Sequence, residues 1–106
     1  MVVDHELDDL KREFLGEARE KVDEMETALG TVRERESLDR LAYLAHQLKG
    51  SGGSYGYQRI SADAADLEKI VESLTQGDRN GSETEKIQQF VVNLRTEIDR
   101  ALGELR

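Results

Sequence analysis

His46, Lys49 and Gly50 are the residues of this 106-residue chain whose types and spacing lend themselves to chemistry. On a helix, residues three and four apart share a face with Cβ atoms roughly 5–6 Å apart, so His46 adjoins Lys49 and the missing side chain of Gly50. The apolar residues of the same segment, Leu38, Leu41, Leu44, Ala45 and Leu48, gather on another side. At about 100° per residue their centre lies roughly 140° around the helix from His46, which turns the imidazole toward water. A solvated nucleophile beside a cation and an open space points to covalent chemistry delivered by a partner.

Three plainer readings of His46 compete with that one. A core histidine conflicts with its angular position. Metal-binding bundles place Glu-x-x-His pairs on facing helices, whereas the residue three before His46 is Tyr43. No metal site is therefore expected. A solvated histidine without a role stays open on these residues alone. His5, the other histidine, sits near the N-terminus and offers no constellation.

The elements that must position His46 read as helices. Proline is absent, and Leu, Ala, Glu, Lys and Arg abound, which favours helix throughout. Leu7, Leu10, Phe14, Ala18, Val22, Met25 and Leu29 step by threes and fours and predict a first helix over about 4–29. Acidic residues open it, suiting the positive end of the helix dipole. Gly30 is expected to stop it, because glycine takes the left-handed cap conformation cheaply. Ser37 is expected to cap a second helix over about 37–53. Gly50, Gly52, Gly53 and Gly56 crowd its end, each interior one costing about 0.5–1 kcal/mol relative to alanine. A helix running past Gly50 must be held by packing, with Tyr55 as the anchor; otherwise Gly52 and Gly53 form the turn.

Ile60, Ala64, Leu67, Val71 and Leu74 predict a third helix over about 57–76, with Asp63 an unexplained misfit at the edge of its stripe. After the polar turn Gly77–Gly81, Ser82 to Glu85 reads as a capping box. Ile87, Phe90, Val91, Leu94, Ile98, Ala101 and Leu105 line a fourth helix over about 83–105. One all-α domain, an antiparallel up-down-up-down four-helix bundle over residues 1–106, is the expected fold.

Composition narrows the partners. A net charge of −8 repels phosphate backbones and anionic lipids, so neither nucleic acid nor a membrane is expected. No apolar run is long enough to cross a bilayer, and the N-terminus lacks the basic-then-apolar pattern of a secretory signal. The chain has no cysteine, which removes disulfides and thiolate metal sites and fits a reducing, cytoplasmic setting.

His46-Gln47-Leu48-Lys49-Gly50-Ser51, Gly56 ten residues after the histidine, Ile60, Ala64 and the pair Leu67-Glu68 together resemble the histidine phosphotransfer (HPt) domain of two-component phosphorelays. The resemblance spans most of the chain. It implies that His46 carries a phosphoryl group between the aspartates of response-regulator receiver domains, Lys49 meeting the phosphoryl charge. Glu68 lies on the flank of the third helix and reaches His46 Nδ1 if the second and third helices are neighbours. In the family this position holds the ring. Gly50 would leave clearance for the receiver, with Tyr43, Gln47 and Gly53 lining the docking surface. The family brings no cofactor of its own; Mg²⁺ is expected in the partner receiver. No nucleotide-binding motif occurs, so the chain would be an intermediate in phosphotransfer, without an ATP site. One alternative is the phosphoacceptor domain of a chemotaxis-type histidine kinase. Another, of a different class, is a non-enzymatic helical interaction scaffold.

Overall fold

Amphipathic periodicity repeated along the chain folds into four helices in the computed structural model, which describes residues 3–32, 34–77 and 83–105, with side chains from Glu6 onward. They are α1 (Val3–Leu29), α2 (Arg35–Ser54), α3 (Gln58–Thr75) and α4 (Glu83–Glu104). Among the described residues there is no strand. Contacts close a ring, α1 to α2 to α3 to α4 and back to α1. Side-chain pairs give the directions. Arg12 bonds the Leu105 carbonyl, Arg19 pairs with Asp99, and Arg95 pairs with Asp23 and Glu26, so α4 descends as α1 ascends. Between α2 and α3 the same reversal links Gly52 to Ile60, Lys49 to Ser61 and His46 to Glu68.

The four apolar stripes meet in one core. Leu41, Leu44, Leu48, Ile60, Leu67, Ile87, Leu94 and Ile98 are fully buried within it, each contributing roughly 1.5–3 kcal/mol relative to exposure. The first helix departs from its expected stripe. Leu7 and Leu10 are exposed, whereas Leu15, outside the three-and-four stepping, is fully buried. Phe14 stacks on Tyr55 and Tyr57 at the α2–α3 turn, and Arg12 is level with Leu105 near the end of α4. Residues before Arg12 therefore overhang their neighbours and find nothing apolar to cover them.

Helix ends also differ from the sequence pattern. The α2 helix starts at Arg35, with Glu34 as its extended N-cap and no side-chain cap bond. The Leu38 amide already bonds the Glu34 carbonyl, so Ser37 lies inside the first turn, its Oγ 2.6 Å from Thr31 Oγ1. Arg35 and Glu36 are good helix formers and carry the turn back past the serine. Gly30 does follow the last residue of α1, but without a positive φ. Three-residue bonds from the Gly30 and Thr31 amides tighten the end instead. Ser82, the expected cap of α4, lies outside the described residues.

The α2–α3 junction is where glycine is indispensable. Helix α2 runs through Gly50, Gly52 and Gly53 to Ser54, anchored by Tyr55, whose ring centroid is 5.0 Å from that of Phe14. Gly56 at φ +83° ends it, the Tyr57 amide reaching back to the Gly52 carbonyl at 2.8 Å and the Gly56 amide to Gly53 at 3.2 Å. Gly52 is buried, and a Cβ there would sit 3.3 Å from both Ile60 Cγ2 and the Ser61 amide nitrogen. The absent side chain lets α3 approach closely enough for Ser61 Oγ to donate to the Lys49 carbonyl at 2.8 Å.

Asp63, the misfit of α3, has a partner across the α3–α4 seam. Its carboxyl neighbours that of Glu97, whose Oε2 is buried without a hydrogen-bond partner among the described residues. Burial first, then the neighbouring Asp63 carboxyl, push the Glu97 carboxyl up to about 7, with Arg59 and Arg100 pulling the other way.

Candidate functional site

Close approach of α2 and α3 determines what surrounds His46. The imidazole is 66% exposed at mid-helix, while Glu68, one seam away on α3, is only 16% exposed. Glu68 Oε2 lies 3.0 Å from His46 Nδ1, and Glu68 Oε1 accepts from Lys49 Nζ at 2.9 Å. The Lys49 ammonium holds the Glu68 carboxyl below its ordinary value of 4.5; burial opposes this and the His46 bond assists it. An ionised carboxylate only accepts hydrogen bonds, so Nδ1 carries the hydrogen of this bond, and in the neutral ring Nε2 is the nitrogen with the lone pair. Nε2 is thus on the ring edge turned away from α3.

Lys49 occupies the His46 face, but its ammonium is tied to Glu68 rather than freely solvated. Gly50 opens the space beside the ring: a Cβ there would meet nothing within 4 Å. Tyr43 is 52% exposed. Its hydroxyl accepts from Gln47 Nε2 at 2.8 Å, and the Arg40 guanidinium lies 5.3 Å from its ring centroid. Tyr43, Gln47 and Gly50 therefore lie along one surface of α2 with His46. Gly53 is exposed as well, yet its missing Cβ would point at Ser61 Oγ, 3.5 Å away, rather than at open space.

On the side opposite Glu68, α1 forms the far wall of an open hollow of about 660 Å³, lined by His46, Gln47, Gly50, Ser54, Glu17 and Lys21 among others. Arg40, Glu24 and Glu20 continue this wall past Tyr43. None of these α1 residues or Arg40 is evident from the sequence around His46. Only the pairing of α1 with α2 brings the α1 residues level with it and sets Arg40 against Glu24. Among the described residues no three His, Asp or Glu side chains gather as metal ligands would. No described helix is long and apolar enough to cross a membrane.

Comparison with known proteins gives one positive finding. The model of the family described as Hpt domain matches residues 9–105, a span that takes in all of α2, α3 and α4. No curated protein and no solved structure matches the chain.

Proposed function

The chain belongs to the Hpt domain family, and from that premise we propose that His46 is its phosphoryl-carrying residue, charged by one receiver aspartate and discharged to another. Hpt domains serve histidine phosphotransfer in phosphorelays, exchanging with receiver domains and kinases. The bond that His46 Nδ1 donates to Glu68 is the observation that carries the residue assignment.

In the proposed step the Nε2 lone pair attacks the phosphorus of an aspartyl phosphate. An N–P bond forms, the P–O bond to the aspartate breaks, and the carboxylate leaves with the electron pair. Nδ1 keeps its hydrogen, so the ring becomes positively charged as it accepts the phosphoryl group. Glu68, 3.0 Å away, stabilises that developing charge, and a preorganised charge in place before the reaction needs no reorganisation. Lys49 balances Glu68 and holds its carboxylate in place beside the ring. Reversal with a second receiver discharges the domain. Gly50 leaves the receiver room to approach, and Tyr43 and Gln47 form the surface it docks on, with Gly53 at its edge. Mg²⁺ belongs to the receiver's own aspartyl site. The docked area is small and transient, at the low end for protein pairs.

The charged acceptor at Glu68 also favours a second reading, since it makes the ring a better nucleophile toward a donor less activated than an acyl phosphate. In that case a kinase catalytic domain phosphorylates His46 from ATP. Incubation with a phosphorylated receiver separates the readings. Acid-labile, alkali-stable phosphate on the wild type and none on His46→Gln is the carrier outcome. Labelling only by a kinase domain selects the second reading. Absence of labelling by either leaves a helical scaffold.

A further inference from the structure

Glu68 and Lys49 cancel one another's charge, so the proposed site holds no surplus cation on the α2–α3 side. A phosphoryl group carries close to two negative charges at neutral pH, roughly −1.5 to −2. Something else must face it.

The ring geometry says where. With Nδ1 held toward α3, Nε2 looks to the opposite side, where the hollow between α1 and α2 opens. Glu24 pairs with Arg40 at 2.7 Å and Phe14 stacks on Tyr55. Between those two cross-links, the antiparallel register brings Lys21 level with His46. Both residues line the same hollow, together with Gly50 and Gln47. Lys21 is half-buried and, among the described residues, makes no ion pair within 4 Å. The rest of that wall is acidic: Glu17, Glu20 and Glu24. Glu24 is paired with Arg40, and the charge of Lys21 adds a smaller pull on its carboxyl. Without Lys21, the α1 wall would repel an incoming phosphoryl group.

We infer that Lys21 is a second phosphoryl-binding cation, meeting the group on His46 Nε2 from the α1 side while Lys49 stays engaged with Glu68. The inference rests on His46 being the phosphorylated residue. It assigns to α1 a part in the chemistry as well as in the core. It also explains why the hollow is open beside Gly50: the space admits the phosphoryl group and the long lysine side chain together.

The first measurement needs no partner protein. The full chain is charged with potassium phosphoramidate, and the phosphohistidine signal is titrated by ³¹P NMR in the wild type, Lys21→Gln and Lys21→Arg. A nearby cation favours the dianionic phosphoryl form and lowers its titration midpoint. The midpoint is expected to rise by about half a pH unit in Lys21→Gln and to return in Lys21→Arg. Transfer to a receiver is expected to slow about three- to tenfold in Lys21→Gln at low salt, and less at high salt. Equal midpoints in all three proteins, with His46 phosphorylated in each, would overturn the role of Lys21 alone. A wild-type chain that takes no phosphate on His46 would instead overturn the carrier reading, and this inference with it. Thermal melting separates a folding defect from either result.

Discussion

His46 Nδ1 lies 3.0 Å from Glu68 Oε2, across the seam between α2 and α3. The bond joins an exposed imidazole to a largely sheltered carboxylate that Lys49 keeps ionised. Ring orientation and tautomer both follow from it.

Removing the acceptor is expected to slow transfer without unfolding the bundle. A hydrogen bond to a charged group contributes about 1.5–3 kcal/mol, so Glu68→Ala should lower the transfer rate roughly ten- to hundredfold. Glu68→Gln, which keeps a neutral acceptor, should fall between. In ¹⁵N spectra of the imidazole the wild type should show the Nδ1–H tautomer, and Glu68→Ala a mixture. An unchanged rate with an unchanged tautomer would remove Glu68 from the site. The folded pKa of Glu68 lies below its ordinary value of 4.5, so its ion pair stabilises the fold above that pH. The contribution is lost as pH falls through the lowered value.

Two glycines only two residues apart should respond in opposite ways to alanine. At Gly50 a Cβ meets nothing within 4 Å, so Gly50→Ala should stabilise α2 by about 0.5–1 kcal/mol through backbone entropy. Transfer should nonetheless slow, because the added methyl group stands where the partner docks. At Gly52 the Cβ would press on Ile60 Cγ2 and the Ser61 amide nitrogen at 3.3 Å. Gly52→Ala should lose about 1–3 kcal/mol and loosen the His46–Glu68 bond by widening the seam. Denaturant titration beside transfer kinetics reads both effects. A stabilised Gly50→Ala with full activity would mean that docking needs no clearance there.

The Asp63–Glu97 pair should make stability fall toward alkaline pH. Glu97 is raised to about 7 from 4.5, so the unfolded chain gives up this proton more readily than the folded one. The fold therefore carries no penalty below about 4.5 and loses stability as pH rises from there through 7. The loss is no more than about 3 kcal/mol for a shift of this size. Glu97→Gln keeps a donor for Asp63 and should flatten the dependence, melting higher than the wild type at pH 8. Parallel pH profiles for the two proteins would show that the pair does not share a proton.

What the sequence determined by itself is whatever depends on one helix at a time. The stripes of α2, α3 and α4 place their core residues correctly apart from Phe90 and Leu105, which are only partly buried against the core, because burial there follows mainly from angular position. The same periodicity turns His46 to the outside and brings Lys49 and Gly50 beside it, since neighbours three and four apart need no second helix. Gly56 likewise declares the end of α2 through a local backbone demand. Tertiary structure decided everything that depends on which helix lies opposite which, and at what level. Leu7 and Leu10 fit the stripe of α1 but overhang its neighbours, so they stay exposed while Leu15 is buried. Asp63 looked misplaced until Glu97 faced it across a seam. Gly52 is needed because α3 comes close, not because α2 must end. Lys21 lies twenty-five residues from His46 in sequence, and only the antiparallel register of α1 and α2 sets the two in one hollow. Helical periodicity fixes direction around an axis, whereas the height of one axis against another is set by packing along the whole bundle.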